Sequence, residues 1–307
     1  MAYLVKDKLV LACLVFIVVL LIVSLFPNQI APLSYEEASF RDKLASPGTV
    51  ASAEKLAGHR YLLGADRLGR DMLSRLVYGT RVSVAVAFIG AIVSFVIGVG
   101  YGLIAGYAPP RINNLMMRLV DVVYGYPTLI LVILLQVYLT TISQQELSKI
   151  TGLQRVIIGL DRSTGGLFFV FVAVGAVSWL NIARLTRGQV MHYRDQEFVQ
   201  AARAVGAPPR RILWRHLLPN VLGPCIVAVT LAIPNYISTE AFLSFIGLGV
   251  QPPMPSWGEM ISDGYGALRS APHLILFPAL SLFLTMLAFN FLGDAVRDAL
   301  DPRIRYR

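Results

Sequence analysis

Six stretches of the chain stay apolar for long enough to cross the ~30 Å hydrocarbon core of a bilayer, which takes about 20 helical residues. They run over approximately 9–27, 82–107, 114–139, 166–187, 219–247 and 273–293. The two-residue alternation of a barrel strand is missing from them. Open backbone is intolerable in lipid, so each is expected to be a helix. The second and fifth exceed the minimum length and can tilt or run past the bilayer.

The polar intervals differ from one another. Residues 28–80 mix polar and apolar positions around the turn-like "FPNQIAP" and "ASPGT" and are expected to form a small lobe outside the bilayer. In 140–165, Leu147, Ile150, Leu153, Ile157 and Leu160 recur at helical spacing, which predicts a short surface helix ended by Gly165 and Gly166. A plain connecting loop is the alternative there. In the second span Gly98, Gly102 and Gly106 make two successive G-x-x-x-G steps, with Gly90 and Gly100 nearby. Such residues let helix backbones approach closely, either at an interface in a translocation core or in ordinary packing within the subunit, which is the commoner use.

Composition fixes the class. Of 307 residues, 56% are hydrophobic and 15% charged; soluble domains average about half and about a quarter. The net charge of +9 would suggest nucleic acid in a soluble protein, but here it is unevenly placed. With the N-terminus inside, and Asp121 and Glu240 left aside, the inner segments and span ends carry 15 basic and 6 acidic residues, the outer side 12 and 10. Positive charge favours the cytoplasmic side, so both termini are expected inside. The outer loop opposes this with Arg67, Arg70, Arg75 and Arg81. Long translocated loops obey the rule weakly, and Asp66 and Asp71 lie close enough for local pairing. Cys13 and Cys225 both fall in apolar runs, which argues against a disulfide framework or a cysteine metal site. Lys6 and Lys8 precede the first apolar run as in a signal peptide, but the run is long and no A-x-A site follows, so an uncleaved span is expected.

One interval between spans is unlike the others: "EFVQAARAVGAPPRRILWRHLLPN", Glu197 to Asn220. Val190, Phe198, Ala201, Ala202 and Val205 suggest a helix with a small-residue face, and Gly206 is a natural stop for it. Pro208 and Pro209 forbid direct continuation. Arg210 to Leu218 can form a second short helix that enters the fifth span at Pro219. A simple connection needs only a few residues. This basic, jointed elbow suits either docking on a cytosolic partner or resting on anionic lipid.

The elbow resembles the coupling signature of permease subunits in binding-protein-dependent ABC importers, in which E-A-A is followed after three residues by Gly and after nine more by I-x-L-P. Ala201, Ala202, Gly206, Leu218 and Pro219 match; Gln200 replaces the Glu and His216 takes the Ile place. Gln200 keeps length and polarity but removes the charge that could pair with an ATPase. Residues 63–83, 117–129, 240–260 and 287–303 extend the likeness to the dipeptide/oligopeptide/nickel permease family, in its C-type, second-permease branch. The lobe around 35–60 and the longer 140–165 segment depart from that pattern.

The resemblance implies an all-α, six-span, N-in/C-in permease of the type I importer fold in the bacterial inner membrane. Residues 1–80 would form the first span and lobe, and 81–307 the permease domain, with coupling loop 188–218. It implies half of a pore for di- or oligopeptides, with nickel-chelate or oligosaccharide as alternative cargo. A homologous permease would complete the pore, two cytoplasmic ATPases would dock on the elbows, and an extracytoplasmic solute-binding protein would deliver cargo. ATP and Mg would bind at the partner ATPases, and no cofactor is expected on this chain. The implied docking residues are Glu197, Gln200, Ala201, Ala202, Gly206, Arg210, Arg211, Leu218 and Pro219.

The residues themselves agree that the chain does no chemistry: the sequence holds no G-x-x-x-x-G-K-[ST] loop, H-E-x-x-H or Cys/His cluster. A secondary transporter would need buried ion sites in its spans, and only two acids are available, Asp121 and Glu240. Intramembrane acids are costly and functional by default. Asp121 is one turn from Arg118, so a structural ion pair is expected. Glu240 could meet a cationic peptide terminus or a gate, or serve as a structural acceptor. Trp257 sits in a proline-rich outer segment, either as a gate or binding-protein contact or in a rigid interfacial turn. Asp121, Glu240 and Trp257 are therefore the pore or gate candidates.

Overall fold

The computed structural model describes residues 7–56, 58–143 and 152–300. Leu147 and Ile150 of the expected outer helix lie outside them, as do Lys6 and positions 301–307 of the inner C-terminal segment.

The first helix, α1 (Lys8–Leu25), is capped by Asp7, whose carboxylate accepts from the Leu9 amide at 2.9 Å. The lobe follows: a single turn α2 (Pro27–Ile30), then a two-stranded antiparallel hairpin, β1 (Thr49–Val50) and β2 (Arg60–Tyr61). Leu56, Tyr61 and Ala65 form its small core. Helix α3 (Met72–Tyr107) starts ten residues before the expected span because Asp71 caps it, its carboxylate accepting from the amide and the hydroxyl of Ser74, both at 2.7 Å.

The third apolar stretch is not one straight span. It is α4 (Pro110–Tyr124) and α5 (Thr128–Ser143), which meet at 81°. "GYP" at 125–127 explains the break. Gly125 caps α4, Pro127 lacks an amide donor, and its ring pushes Tyr126 away from helical geometry. Among the described residues, five helices are each long and apolar enough to span, and the bent pair supplies a sixth crossing if its halves count as one. Helix α6 (Leu153–Ser163) is the expected outer helix, ended by Gly165 and Gly166 at φ +65° and +85°. Its buried face is Ile158 and Asp161, while Leu160 is exposed.

Helix α7 (Leu167–Tyr193) packs closely along α3. A Cβ at Gly98, Gly102 or Gly106 would lie 2.7, 2.5 or 2.7 Å from the Cβ of Ile182, Thr186 or Val190. The glycine repeat therefore serves packing inside the subunit. The elbow itself is α8 (Glu197–Ala204), α9 (Pro209–Arg211) and a wider π-turn (Ile212–Leu217), which lead into α10 (Leu218–Phe245). Helix α11 (Trp257–Tyr265) then lies beside α12 (His273–Leu300).

The elements sort to two ends. The lobe, α11 and the starts of α3 and α12 share one end, where Met72, Trp257, Met260 and Leu274 pack together. The elbow meets the other end of α3: Arg194 Nη1 donates to the Gly106 carbonyl at 3.1 Å, and Arg203 sits 5.5 Å from the Tyr107 ring centroid.

Candidate functional site

Two features could do work: the elbow at one end and a cavity in the bundle. Helix α8 anchors through Val199 and Ala202, both buried. Val190, grouped with this face from sequence, lies in the core on α7 instead. Phe198, Ala201 and Val205 face outward, Val205 at 85% exposure. Gly206 ends the helix in a left-handed conformation, φ +77°. Its amide donates to the Arg203 carbonyl at 2.9 Å, and the Ala207 amide donates to the Ala202 carbonyl at 3.0 Å. This pair of bonds is a Schellman closure, which glycine favours.

Pro208 and Pro209 then turn the chain. Pro219 has no amide to offer the helix behind it, the widened turn sits just before it, and Asn220 Nδ2 donates to the His216 carbonyl at 2.6 Å. The elbow thus continues into α10 without a loop. Gln200 Nε2 donates to the Asp195 carbonyl at 3.0 Å, so this side chain, in the place of the signature's Glu, serves the elbow itself. Glu197, Arg210 and Arg211 are exposed. Arg210, Arg211, Trp214 and Arg215 ring a surface recess of about 480 Å³.

The cavity, about 750 Å³, lies among α5, α7 and α10. Its polar lining is Thr128, Ser178, Asn181, Asn235, Tyr236, Ser238 and Thr239, and among the described residues no charged side chain lines it. None of the three sequence candidates is in that lining; Asp121 forms the expected ion pair with a different partner, and Glu240 takes the structural-acceptor alternative. Asp121 pairs with Arg184 of α7 at 2.6 Å, because packing of α4 on α7 brings the two together. Arg184 also stacks over the Tyr124 ring at 3.9 Å. Glu240 is wholly buried and accepts from Ser83 Oγ at 2.9 Å and Ser244 Oγ at 2.8 Å, which makes it a tie between α3 and α10. Trp257 is 1% exposed and its Nε1 donates to the Leu76 carbonyl at 3.2 Å, so it is part of the core and not an exposed side chain.

Sequence reasoning missed two sites at the outer end. Arg75, 1% exposed, holds three carboxylates: Asp66, Glu259 at 2.9 Å and Asp263 at 3.5 Å. Arg70 joins Asp66 at 2.6 Å and Asp263 at 3.5 Å. The expected pairing of Asp66 with nearby arginines is met, while Asp71 caps α3. Burial raises Glu259 to about 7, with Arg75 opposing and Asp263 adding to the rise. Burial also raises Asp66 and Asp263, again against Arg75. The second site is Asp161, whose carboxylate accepts from Ser143 Oγ at 3.0 Å and the Phe169 amide at 3.1 Å, joining α5, α6 and α7. Glu259 and Asp263, four apart on one helical face, were the available signal for the first. Asp161 offered none beyond being an acid in an apolar segment.

Residues 98–306 match the family described as the binding-protein-dependent transport system inner membrane component. The chain belongs to that family. This inner-membrane transport family accounts for the multi-span plan, and the match takes in the elbow and both helices that flank it. The oligopeptide transport system permease protein OppC of Haemophilus influenzae is 37% identical over 300 residues, covering 98% of this chain and 86% of that protein. The dipeptide transport system permease protein DppC of Bacillus subtilis is 38% identical, covering 98% and 83%. OppC of Salmonella typhimurium is 37% identical, covering 96% and 88%. A solved structure of inward-facing conformations of the MetNI methionine ABC transporter aligns with TM-score 0.56 at 21% identity, covering 75% of this chain and 98% of that one. It shares the fold. The expected permease architecture, with its bacterial inner-membrane setting, is thus met.

Proposed function

We propose that this chain forms one half of the pore of an ATP-driven importer for dipeptides or oligopeptides. A homologous, non-identical permease completes the pore. Two cytoplasmic ATPases dock on the elbows and carry the ATP and Mg, so that this chain itself hydrolyses nothing. An extracytoplasmic binding protein presents cargo at the end occupied by the lobe and α11. Residues 1–80 supply the first span and lobe, and 81–307 the permease domain.

One observation carries the reading: an exposed elbow runs without a loop into the helix that lines the cavity. Phe198, Val205 and Trp214 are 40%, 85% and 59% exposed at one end of that path, and Asn235, Tyr236 and Thr239 line the cavity along it. Rotation of a body seated on the elbow therefore moves α10, and α7 through the opposite arm. The cavity walls shift, and access alternates between the two faces.

The test is a mild-detergent pull-down from the native membrane with mass spectrometry of what accompanies the chain, alongside Gly206→Asp. A homologous permease and one or two ATPases should accompany the native chain. The ATPases should be lost from the variant, together with peptide uptake, at unchanged abundance in the membrane. A chain recovered alone, or a variant with normal uptake, overturns the assignment.

A further inference from the structure

The elbow carries two surfaces of different chemistry. On α8 the outward residues are Phe198, Ala201 and Val205, with Gly206 behind them. That surface is neutral and suits close contact with a folded partner. The second arm is unlike it. Ile212 and Leu217 are buried in the core, while Arg210, Arg211, Trp214 and Arg215 ring the recess of about 480 Å³. Arg210 and Trp214 are four residues apart, as are Arg211 and Arg215, so one helical face carries all four. All four are exposed, Trp214 at 59%. Among the described residues the three arginines meet no carboxylate.

Depth decides what such a face can meet. The arm runs without a loop into α10. Trp214 and Arg215 come just before Pro219, where the apolar run begins. At about 1.5 Å per residue they lie at most about 8 Å beyond the hydrocarbon boundary. The headgroup layer on each side of a bilayer is about 5–7 Å thick. Arg210 and Arg211 lie at most about 14 Å out, and long arginine stems let the charged heads reach back to that layer. Tryptophan favours the same layer. Arginine forks hold phosphate by two-point contacts, and the cytoplasmic leaflet supplies anionic lipid. We propose that the face of Arg210, Arg211, Trp214 and Arg215 binds the phosphate of an anionic phospholipid of the inner leaflet. The elbow then rests on the membrane through this arm and meets the ATPase through α8. Arg210 and Arg211, which the family resemblance places among the docking residues, go to lipid on this division. The inference rests on the importer reading only in putting the elbow on the cytoplasmic side, and it is independent of cargo.

The test uses the complete importer in phosphatidylcholine vesicles with a graded fraction of phosphatidylglycerol that carries a photoreactive headgroup. After illumination, adducts on the elbow are mapped and quantified by mass spectrometry, and the ATPases that co-purify are measured in the same samples. Photoreactive phosphatidylcholine is the neutral comparison. The wild type should carry adducts between Arg210 and Arg215 with phosphatidylglycerol and few with phosphatidylcholine. One arginine near an anionic surface corresponds to about a fivefold change in binding. Arg211→Gln should therefore raise the half-saturating phosphatidylglycerol fraction about fivefold and keep the ATPases. Gly206→Asn should do the reverse, losing the ATPases and keeping the adducts. Equal labelling by the two lipids, or an unchanged half-saturation in Arg211→Gln, overturns the inference. Loss of the ATPases from Arg211→Gln assigns the recess to the partner protein and overturns it as well. A wild-type chain that carries the adducts but brings down no ATPase sinks the importer reading and leaves the lipid site standing.

Discussion

At the outer end, Arg70 and Arg75 are almost withdrawn from solvent, and Asp66, Glu259 and Asp263 answer them within the chain. At the inner end, Arg210, Arg211 and Arg215 are exposed around a recess, and none meets an acid among the described residues. Both are arginine clusters in polar segments flanking spans. A buried cation without partners is prohibitively costly, so the outer cluster must be completed by the fold. An exposed one is tolerable alone and can be completed by something else. The outer end is therefore a finished joint, locking lobe, α3 and α11 together, while the inner end is an unfinished surface.

The comparison breaks most sharply at Arg75. Arg75→Ala leaves three carboxylates facing one another in a largely buried site. Removing one partner of such a set typically costs about 3–5 kcal/mol. The variant should show a much reduced yield of folded chain and a lower thermal midpoint in detergent. Arg211→Ala, at the other end, should leave both near wild type. Equal losses at the two ends would erase the distinction.

A ladder at Gly206 sharpens the inner side. A Cβ there meets nothing within 4 Å, so space inside the chain is not limiting. Only the positive φ is, and Asn tolerates that conformation better than other side chains. Gly206→Asn should keep the fold at a cost of about 1 kcal/mol. If the glycine surface must admit a partner closely, Gly206→Asn should still lose most ATPase co-purification and uptake. Full uptake by the asparagine variant would mean that the position serves the turn and nothing more.

Acidity should register on the outer side. Glu259 stands at about 7 in the fold against 4.5 ordinarily. A carboxyl raised on folding contributes stability that is fully present below its unfolded value and is lost as pH rises through its folded one. The thermal midpoint should therefore fall between about pH 5 and about pH 8, and Glu259→Gln should flatten that slope. Parallel slopes in variant and wild type would move the titration elsewhere.

These joints were unequally legible in the sequence. Gly206, with the prolines behind it, is a local signal, and local hydrogen bonds decide its conformation. The glycine repeat on α3 was legible for the same reason: one helical face carries it. The Arg75 set was not, because its partners lie 184 and 188 residues away. Only the packing of α11 against α3 unites them. The bend at 125–127 was readable from Gly and Pro but is masked when apolar length alone is counted. Glu240 and Trp257 show the converse case. Both are unusual residues in an apolar setting, which invites a functional reading, and both are absorbed by internal hydrogen bonds.

Asp121 is the mildest case and divides the molecule differently. Its partner proved to be Arg184, not Arg118, and both side chains are well exposed, at 62% and 43%. Pairs of that kind contribute at most about 1 kcal/mol, so Asp121→Asn should barely move the thermal midpoint. Its neighbours make it more than a surface pair. Arg184 stacks on Tyr124, and the Tyr124 hydroxyl fixes Asn181 in the cavity wall. Loss of the carboxylate frees Arg184, loosens that chain of contacts and blurs the placement of one amide donor. Peptide uptake should then fall by a small factor, about twofold. Initial rates and thermal midpoints measured side by side decide it. A variant that loses stability in proportion to uptake would make Asp121 a structural tie of the outer-end kind, whereas lost uptake at constant stability places it with the working surfaces.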